Sequence, residues 1–233
     1  METKENKLIV DCKDCLFKLC CKDTISQDDF NTIFQRTIQQ TYKRREVIFK
    51  QGMKTDYLVY LSDGIVKFNY EDENGKNLIL TITKSPTLLG LTNVLNEDVN
   101  VFSIIAIDDC KGCLIDLKKL KNFVFSNQLF MLSILKLSTT MFRSSVFNFI
   151  SLANKRVIGR IADVLIYLSK NIYNTHEFIL TMSRQEFAEF AGCSKENVIH
   201  TLQIFNEDGI INLNGKQIEI IDFERLQKIS KNS

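Results

Sequence analysis

The sequence lacks several patterns that would point to particular classes of protein. It has no run of about 18 apolar residues, so no transmembrane helix and no membrane association are expected. Its first residues, METKENKLIVDC, lack the apolar core of a signal peptide, which predicts a cytoplasmic protein. Trp is absent, Pro86 is the only proline, and there is no repeat or low-complexity segment.

The chain also has little net charge and few histidines. Its 30 Lys and Arg residues nearly balance 28 Asp and Glu residues, and the region from Ser151 onward is close to neutral. Bulk charge therefore gives no push toward nucleic acid, and such binding would depend on locally placed Lys and Arg. His176 and His200 have no evident partnered nucleophile or carboxylate pair, so an enzyme is not expected.

Seven cysteines stand out against this background, because cytosolic cysteines are usually reduced and serve as ligands or redox groups. Four lie within residues 1–25, as Cys12-x2-Cys15-x4-Cys20-Cys21. Two cysteines separated by two residues are a good half of a metal site, although the same spacing also occurs as a redox pair. The pair Cys110-x2-Cys113 would complete a CxxC…CxxC set that a structural zinc could fill.

The first half of the chain is rich in β-forming residues. Residues 26–40 predict a short amphipathic helix capped by Ser26, and from Thr41 to about Leu120 the hydrophobic period switches toward two. Six or more short runs, broken by turns such as Ser62-Asp63-Gly64 and Glu73-Asn74-Gly75, indicate a compact antiparallel sandwich or barrel.

Residues 121–150 return to helical spacing, with an apolar stripe too broad for one face of a sandwich to cover. Pairing with the same helix of a second chain is the economical explanation, and a helix buried within its own chain is the alternative. A second helix is predicted over Lys155–Tyr173, with a domain boundary near residues 151–154. The stripe consists of Met131, Leu135, Ser138, Phe142, Ser145 and Phe149, widened by Phe130, Ile134, Leu137 and Met141.

The stretch from Ser183 to Gly209 predicts two short helices joined by a tight turn. Ser183 and Glu186 form a capping box, Ala191-Gly192-Cys193 allows the turn, and Ser194 is a second N-cap. Two β-rich runs around Asn214-Gly215 then predict a hairpin. Helix, turn, helix and hairpin are the order of a winged helix-turn-helix, which places its second helix in a DNA major groove. The candidate DNA contacts are Ser183, Arg184, Ser194, Lys195, Glu196, Asn197, Ile199 and His200.

The chain is thus predicted to be an α+β protein with an antiparallel cyclic-nucleotide-binding-like β-roll, a long helix and a winged helix-turn-helix. This order resembles the CRP/FNR family of transcription regulators. The resemblance divides the chain into a cysteine-rich segment (1–25), a sensor roll (26–120), a dimerisation helix (121–150) and a DNA-binding domain (151–233). It implies a homodimer that binds a palindromic site on double-stranded DNA and acts on RNA polymerase. In the roll it is carried by Gly52, Asp56, Tyr57, Leu61, Gly64, Val66 and Lys67.

The resemblance also indicates which cofactor to expect. The cyclic-nucleotide branch uses a Gly-Glu pair and an Arg followed by Ser or Thr, where this chain has Gly90-Leu91 and Asn100-Val101, so no cyclic nucleotide is expected. The FNR branch holds an oxygen-sensing [4Fe-4S] cluster with C-x2-C-x5-C and a distant fourth cysteine. Cys12, Cys15, Cys21 and Cys113 match that pattern. Cys20 and Cys110 are substitute ligands; zinc or reversible thiol oxidation are the alternatives.

The family reads its operator through a Glu, a Ser and an Arg on the second helix. Glu196 keeps the Glu, whereas Ile199 and His200 replace the other two, so we expect a different operator sequence. These replacements also leave open a module that has lost DNA binding and acts through protein contacts. Affinity for random DNA that falls steeply with salt would distinguish a DNA-binding protein from such a module.

Overall fold

The computed structural model of the chain describes residues 8–9, 26, 37–95 and 99–233. Its strands are β1 (Leu8–Ile9), β2 (Ile38–Tyr42), β3 (Val47–Phe49), β4 (Tyr57–Asp63), β5 (Ile65–Glu71), β6 (Asn77–Lys84), β7 (Thr87–Leu89), β8 (Ser103–Ala106), β9 (Cys110–Asp116), β10 (Glu177–Ile179), β11 (Ile211–Asn214) and β12 (Gln217–Ile220). Its helices are α1 (Thr92–Leu95), α2 (Leu117–Ser126), α3 (Gln128–Asn154), α4 (Val157–Tyr167) with a π-helical extension (Leu168–Tyr173), α5 (Arg184–Ala191), α6 (Lys195–Glu207) and α7 (Phe223–Asn232).

The chain forms two compact units. The first contains the described residues up to Val66 together with Lys84–Arg143, and the second contains Lys67–Thr83 and Ser144–Ser233. Helix α3 therefore begins in the first unit and ends in the second. The hairpin of β5 and β6 belongs, from residue 67 to residue 83, with the C-terminal half of the chain.

Antiparallel pairing builds the predicted roll. One sheet has the strand order β1-β2-β9-β4-β7, and a second has the order β3-β8-β5-β6. In the first sheet a single row of paired residues runs through Leu8, Gln39, Cys113, Tyr60 and Leu88. This row joins the N-terminal strand to the middle of β9.

Helices pack on one face of this sheet and form a hydrophobic core with it. The buried side chains that form it come from β4, β7, β9, α1, α2 and the first turn of α3. Ile134 and Leu137 of α3 pack against it, so the early part of the long helix is anchored on the roll. The core consists of Leu58, Tyr60, Leu88, Val94, Ile115, Leu120, Val124 and Phe130.

A predicted turn of the roll depends on a glycine. Gly64 connects β4 to β5 with φ +104°, a backbone conformation that L side chains rarely adopt. A Cβ at this position would lie 2.5 Å from Cys110 Sγ and 2.8 Å from the Asp109 carbonyl oxygen. The turn between these two strands therefore needs glycine for both reasons.

Two predicted helices differ from the structure. Ile38, Gln39 and Gln40, expected at the end of an N-terminal helix, lie in β2, because pairing with β9 outweighs the local helical pattern. The rest of that predicted helix lies outside the described residues, apart from Ser26 and residue 37. The helix predicted over 121–150 is two helices, which are separated at Asn127. The backbone of Asn127 is extended and ends α2. Its side chain accepts from the Phe130 amide and so begins α3.

The second unit contains the predicted winged helix. The three-stranded sheet β10-β12-β11 packs against α6 through β11. Its hairpin turns at Gly215-Lys216, one residue beyond the predicted Asn214-Gly215, because Asn214 is still paired with Gln217. Helix α4 and its extension match the helix predicted over Lys155–Tyr173, and α4 packs against α7. Fully buried side chains of this unit include Ile161, Leu165, Phe187, Leu202, Phe205 and Ile218. Within the described part of the chain, no helix is both long and apolar enough to cross a membrane.

Candidate functional site

The helix-turn-helix begins and turns where the sequence predicts. The Ser183 hydroxyl accepts from the Glu186 amide at 3.1 Å, and Glu186 Oε2 accepts from the Ser183 amide at 2.8 Å, which is the reciprocal capping box. Gly192 ends α5 with φ +59°, and a Cβ there would lie 2.5 Å from Leu152 Cδ2. Ser194 caps α6 by accepting from the Asn197 amide at 3.2 Å. These contacts fix the angle between the two helices.

One face of α6 is buried and the other is open to solvent. Val198, Thr201, Leu202 and Phe205 form the inner face. The exposed outer face carries the expected reading residues, including Ile199 with 39% of its surface exposed. Its members near the start of the helix are Ser194, Lys195, Glu196, Asn197, Ile199 and His200. The exposed face thus carries a carboxylate, an ammonium group, an amide, an apolar side chain and an imidazole, which are groups that can contact base edges in a DNA groove.

The two candidate DNA contacts at the start of α5 form hydrogen bonds within the protein. The Ser183 hydroxyl is half-buried and donates to Glu186 Oε2 at 2.9 Å as well as capping the helix. Arg184 is also half-buried, and its Nη2 donates to the carbonyl oxygen of Gly215 at 2.8 Å. Arg184 therefore ties the tip of the hairpin, the wing, to the first helix of the motif.

Sequence reasoning missed a buried ion-pair cluster in the same unit. Lys67 Nζ on β5 lies 3.1 Å from Glu186 Oε1 and 3.8 Å from Glu189 Oε2, and all three side chains are 11–14% exposed. Burial alone would raise the pKa of Glu186, but the Ser183 amide and Lys67 outweigh it and hold that pKa below its usual value. The signal in the sequence was a lysine between two apolar strand residues, Val66 and Phe68, both of which are buried.

Cys113, the expected fourth ligand, lies in the middle of the roll sheet. It is half-buried and packs against the core cluster beside Phe123, Ile134 and Leu137. Its paired neighbours in the sheet are Gln39 on one side and Tyr60 on the other. The thiol therefore lies on the face of the sheet that meets α2 and the beginning of α3.

Cys110 faces the opposite side of the same strand. β9 pairs continuously with β2 from Cys110 to Leu114, and residues three apart on a regular strand point to opposite faces. The Cys110 thiol is buried and donates to the carbonyl oxygens of Asp108 and Ile65 at 3.2 and 3.5 Å. Burial raises its pKa to about 11, which disfavours the thiolate that a metal requires. Cys110 and Cys113 are consequently not placed to share one ion.

The other expected ligands, Cys12, Cys15, Cys20 and Cys21, lie outside the described residues. Among the residues that the structure does describe, no three His, Cys, Asp or Glu side chains form a group able to hold a metal ion. Cys193, in the turn before α6, is half-buried, and burial raises its pKa.

The position that matches the nucleotide phosphate site is occupied by a buried amide network. Asn100 Oδ1 accepts from Asn93 Nδ2 at 2.9 Å, while Asn100 Nδ2 donates to the Met53 carbonyl oxygen at 2.7 Å. Both asparagines are buried. These bonds tie three segments of the roll together with neutral groups where the nucleotide-binding branch has an arginine.

The predicted dimerisation stripe divides into two sets. Phe130, Ile134 and Leu137 face the core of their own chain, as described above. The other side of α3 remains open: Leu135 is 56%, Phe142 68% and Phe149 69% exposed. Met131 is 38% exposed, whereas Ser138 and Ser145 are half-buried. The stripe follows spacings of three and four residues, with large apolar side chains at 131, 135, 142 and 149 and serines at 138 and 145. Such a stripe is typical of a helix that pairs with another helix.

Known protein families match both the roll and the winged helix. Residues 39–127 match the family model of the cyclic nucleotide-binding domain, and residues 159–229 match that of the Crp-like helix-turn-helix domain. The first match covers the strands of the roll from β2 onward, and the second covers most of α4 through to α7.

Curated relatives align over most of the chain. The transcriptional activator protein Anr of Pseudomonas aeruginosa is 26% identical over 219 residues, covering 91% of this chain and 88% of that protein. The cAMP-activated global transcriptional regulator CRP of Pasteurella multocida is 26% identical over 183 residues, covering 77% and 88%. The solved structure of FixK2 from Bradyrhizobium japonicum has the same fold, with a TM-score of 0.78 at 18% identity over 84% of this chain and 98% of that one. With the roll, the long helix and the winged helix in this order, the chain belongs to the CRP/FNR family of DNA-binding transcription regulators, which are not enzymes.

Proposed function

We propose that this protein is a homodimeric, sequence-specific transcription regulator that senses oxygen or redox state through a [4Fe-4S] cluster. The cluster would be held by Cys12, Cys15, Cys21 and Cys113. The observation that carries this proposal is the row of paired residues that places the N-terminal strand in the same sheet as Cys113.

The register brings the cysteine-rich segment within reach of Cys113. Leu8 pairs with Gln39, which pairs with Cys113, so two strand spacings, about 10 Å, separate the backbone of Leu8 from that of Cys113. Cys12 follows Leu8 by four residues, which is about 13 Å of extended chain. The covalent geometry therefore permits Cys12 and the cysteines after it to meet the Cys113 thiol.

The surroundings of the one described ligand suit a cluster better than a zinc ion bound by two CxxC pairs. Cys113 is half-buried in an apolar environment, which protects bound sulfide from water, and thiolates are the ligands that iron-sulfur clusters use. The zinc alternative needs Cys110 as well, and Cys110 faces away with a raised pKa. A bound cluster supplies an oxygen-labile redox group that thiols alone lack.

The same surroundings suggest how the site communicates with the rest of the protein. Cys113, Ile134 and Leu137 pack against one core cluster, and the latter two residues belong to α3. A change in what the Cys113 thiol binds would therefore favour one packing of α3 on the roll. Because the exposed stripe of α3 is the proposed dimer surface, this packing would control dimerisation and, through it, binding to a palindromic operator.

Metal analysis of two single variants tests the proposal. Protein purified without oxygen should be brown, contain iron and acid-labile sulfide, and bleach in air. Cys113→Ala should remove most of the iron, whereas the matched Cys110→Ala, three residues away on the same strand, should retain it.

Thermal unfolding of both variants checks that they remain folded. A colourless protein that contains zinc, or equal iron in both variants, would overturn the cluster assignment. Cys20→Ala and Cys21→Ala, assayed in the same way, identify the third N-terminal ligand, which the family spacing predicts to be Cys21.

A further inference from the structure

The hairpin Lys67–Thr83 is bonded to three helices of the second unit. Asn148 Nδ2 of α3 donates to the Leu80 carbonyl oxygen at 3.2 Å. The Tyr167 hydroxyl of α4 donates to the carbonyl oxygen of Ile82. The third bond is the ion pair between Lys67 and Glu186 of α5. The first two use backbone carbonyl groups, which any sequence provides, whereas the third depends on the identity of residue 67.

The ion-pair cluster contains two carboxylates and one ammonium group in a largely buried place. Glu186 Oε1 faces Lys67, while its Oε2 accepts from the amide of Ser183, the N-cap residue of α5. Glu189 Oε1 accepts from Gln185 Nε2 at 3.2 Å, and its Oε2 faces Lys67. Lys67 thus joins the hairpin to the residue that defines the start of the helix-turn-helix.

A lysine at this position is a costly choice for stability alone. The Lys67 side chain is itself buried, so an apolar residue at position 67 would avoid the desolvation of a charge. Buried ion pairs contribute little net stability compared with apolar packing, and their best-attested use is to specify one arrangement. The cluster therefore points to a role in setting where the hairpin sits on α5.

We propose that Lys67 is a positioning residue for operator binding. Its pairing with Glu186 and Glu189 fixes the hairpin on the first helix of the motif and so holds the reading unit in one arrangement on its own chain. The outer face of α6, from Lys195 to His200, is exposed while the hairpin is docked, so docking is compatible with contact to DNA.

The proposal separates two kinds of DNA binding. A dimer on a palindrome must place two recognition helices about 34 Å apart, one turn of the double helix. If the hairpin did not hold the winged helix, the winged helix would be free to move before binding. Binding both half-sites would then cost the entropy of that motion, which weakens the affinity for the operator. Contacts of a single unit with phosphates need no such alignment, so binding to random DNA is insensitive to Lys67.

Three variants of the full chain test this inference, which rests on DNA binding and not on the identity of the cofactor. Lys67→Met removes the charge and keeps an unbranched side chain. Lys76→Met is the matched control, because Lys76 is exposed in the turn of the same hairpin. Lys67→Glu combined with Glu189→Lys exchanges the partners and keeps two carboxylates and one ammonium group in the cluster.

Binding is measured on three duplexes: an operator obtained by binding-site selection, the same duplex with one half-site scrambled, and random DNA. Lys67→Met should weaken binding to the full operator by about tenfold, the size typical of coupling within a buried charge pair. It should leave binding to the one-half-site and random duplexes unchanged. The control should match the unmodified protein on all three, and the charge exchange should restore much of the operator affinity.

Equal weakening on all three duplexes would make Lys67 a merely structural residue and overturn the proposal, as would no change on any of them. Circular dichroism and sedimentation show whether each variant is folded and dimeric. If Lys67→Met does not fold, the charge exchange decides the question. A folded dimer with normal operator affinity supports the positioning role, and a folded dimer weakened equally on every duplex refutes it.

Discussion

Phe142 offers the sharpest test of the proposed dimer surface. In the single chain 68% of this residue is exposed, and it lies in the middle of the stripe on α3. Full burial of a phenylalanine side chain contributes about 1.5–3 kcal/mol, so covering the exposed two-thirds is worth roughly 1–2 kcal/mol. A two-fold dimer contains the contact twice, which gives roughly 2–4 kcal/mol for Phe142→Ala.

This free energy converts to a large change in association. At 1.4 kcal/mol for each factor of ten, the dimer dissociation constant should rise roughly 30- to 700-fold. Sedimentation equilibrium over a range of protein concentrations measures that constant directly. Operator affinity should fall in parallel, because the proposed dimer would engage both half-sites of a palindrome.

Phe147→Ala is the matched control. Phe147 belongs to the same helix and is 64% exposed, but five residues turn the helix by about 140° away from Phe142. Its removal should leave the dissociation constant within a few-fold of the original. Equal effects of the two variants, or an unchanged dimer with Phe142→Ala, would refute the assignment of the stripe.

Three further predictions concern the reading helix, the roll and the ion-pair cluster. His200→Ala should weaken specific operator binding by about 1–3 kcal/mol if the imidazole contacts a base edge; an unchanged sequence preference in binding-site selection would remove it from the readout. Gly64→Ala should destabilise the fold by about 1–3 kcal/mol, measured by thermal unfolding, because φ is +104° and Cys110 Sγ lies 2.5 Å from the added Cβ. Gly75→Ala, where φ is also positive at +77° but nothing lies within 4 Å of the added Cβ, should cost less and isolates the steric part. The pKa of Glu186 is lower in the folded protein than the value of about 4.3 in the unfolded chain, so its ionised form stabilises the fold. This stability is fully present above about pH 4.3 and is lost as the pH falls through the lower folded-state pKa. Glu186→Gln should therefore make the free energy of unfolding less dependent on pH in the acid range.

The winged helix was predictable because its determinants are local. The capping box at Ser183, the N-cap at Ser194 and the turn at Gly192 each act over a few residues, and all three lie where the sequence placed them. The hairpin is local in the same sense, although its turn lies at Gly215-Lys216, one residue later than the predicted Asn214-Gly215. Such signals require no knowledge of which distant segments meet.

Predictions failed for three different physical reasons. Residues 38–40 follow a helical spacing, but β9, more than 70 residues later, pairs with them as a strand. The helix expected from residue 121 is interrupted because the Asn127 side chain begins a new helix at its own position. Cys110 and Cys113 have the spacing of a metal half-site, yet the strand that contains them separates their thiols onto opposite faces.

By itself, the sequence determined the strand-rich first half, the long helical region and the winged helix, their order, and the reading helix with its unusual residues Ile199 and His200. These follow from hydrophobic periods and capping residues, which operate within one helix or strand. Only the tertiary structure decided that Cys113, and not Cys110, faces the core beside α3, that Arg184 holds the wing, and that Lys67 joins two carboxylates 119 and 122 residues further along the chain. The physical reason is that strand register and helix packing set the partners of these side chains, and neither is encoded in the spacing of neighbouring residues.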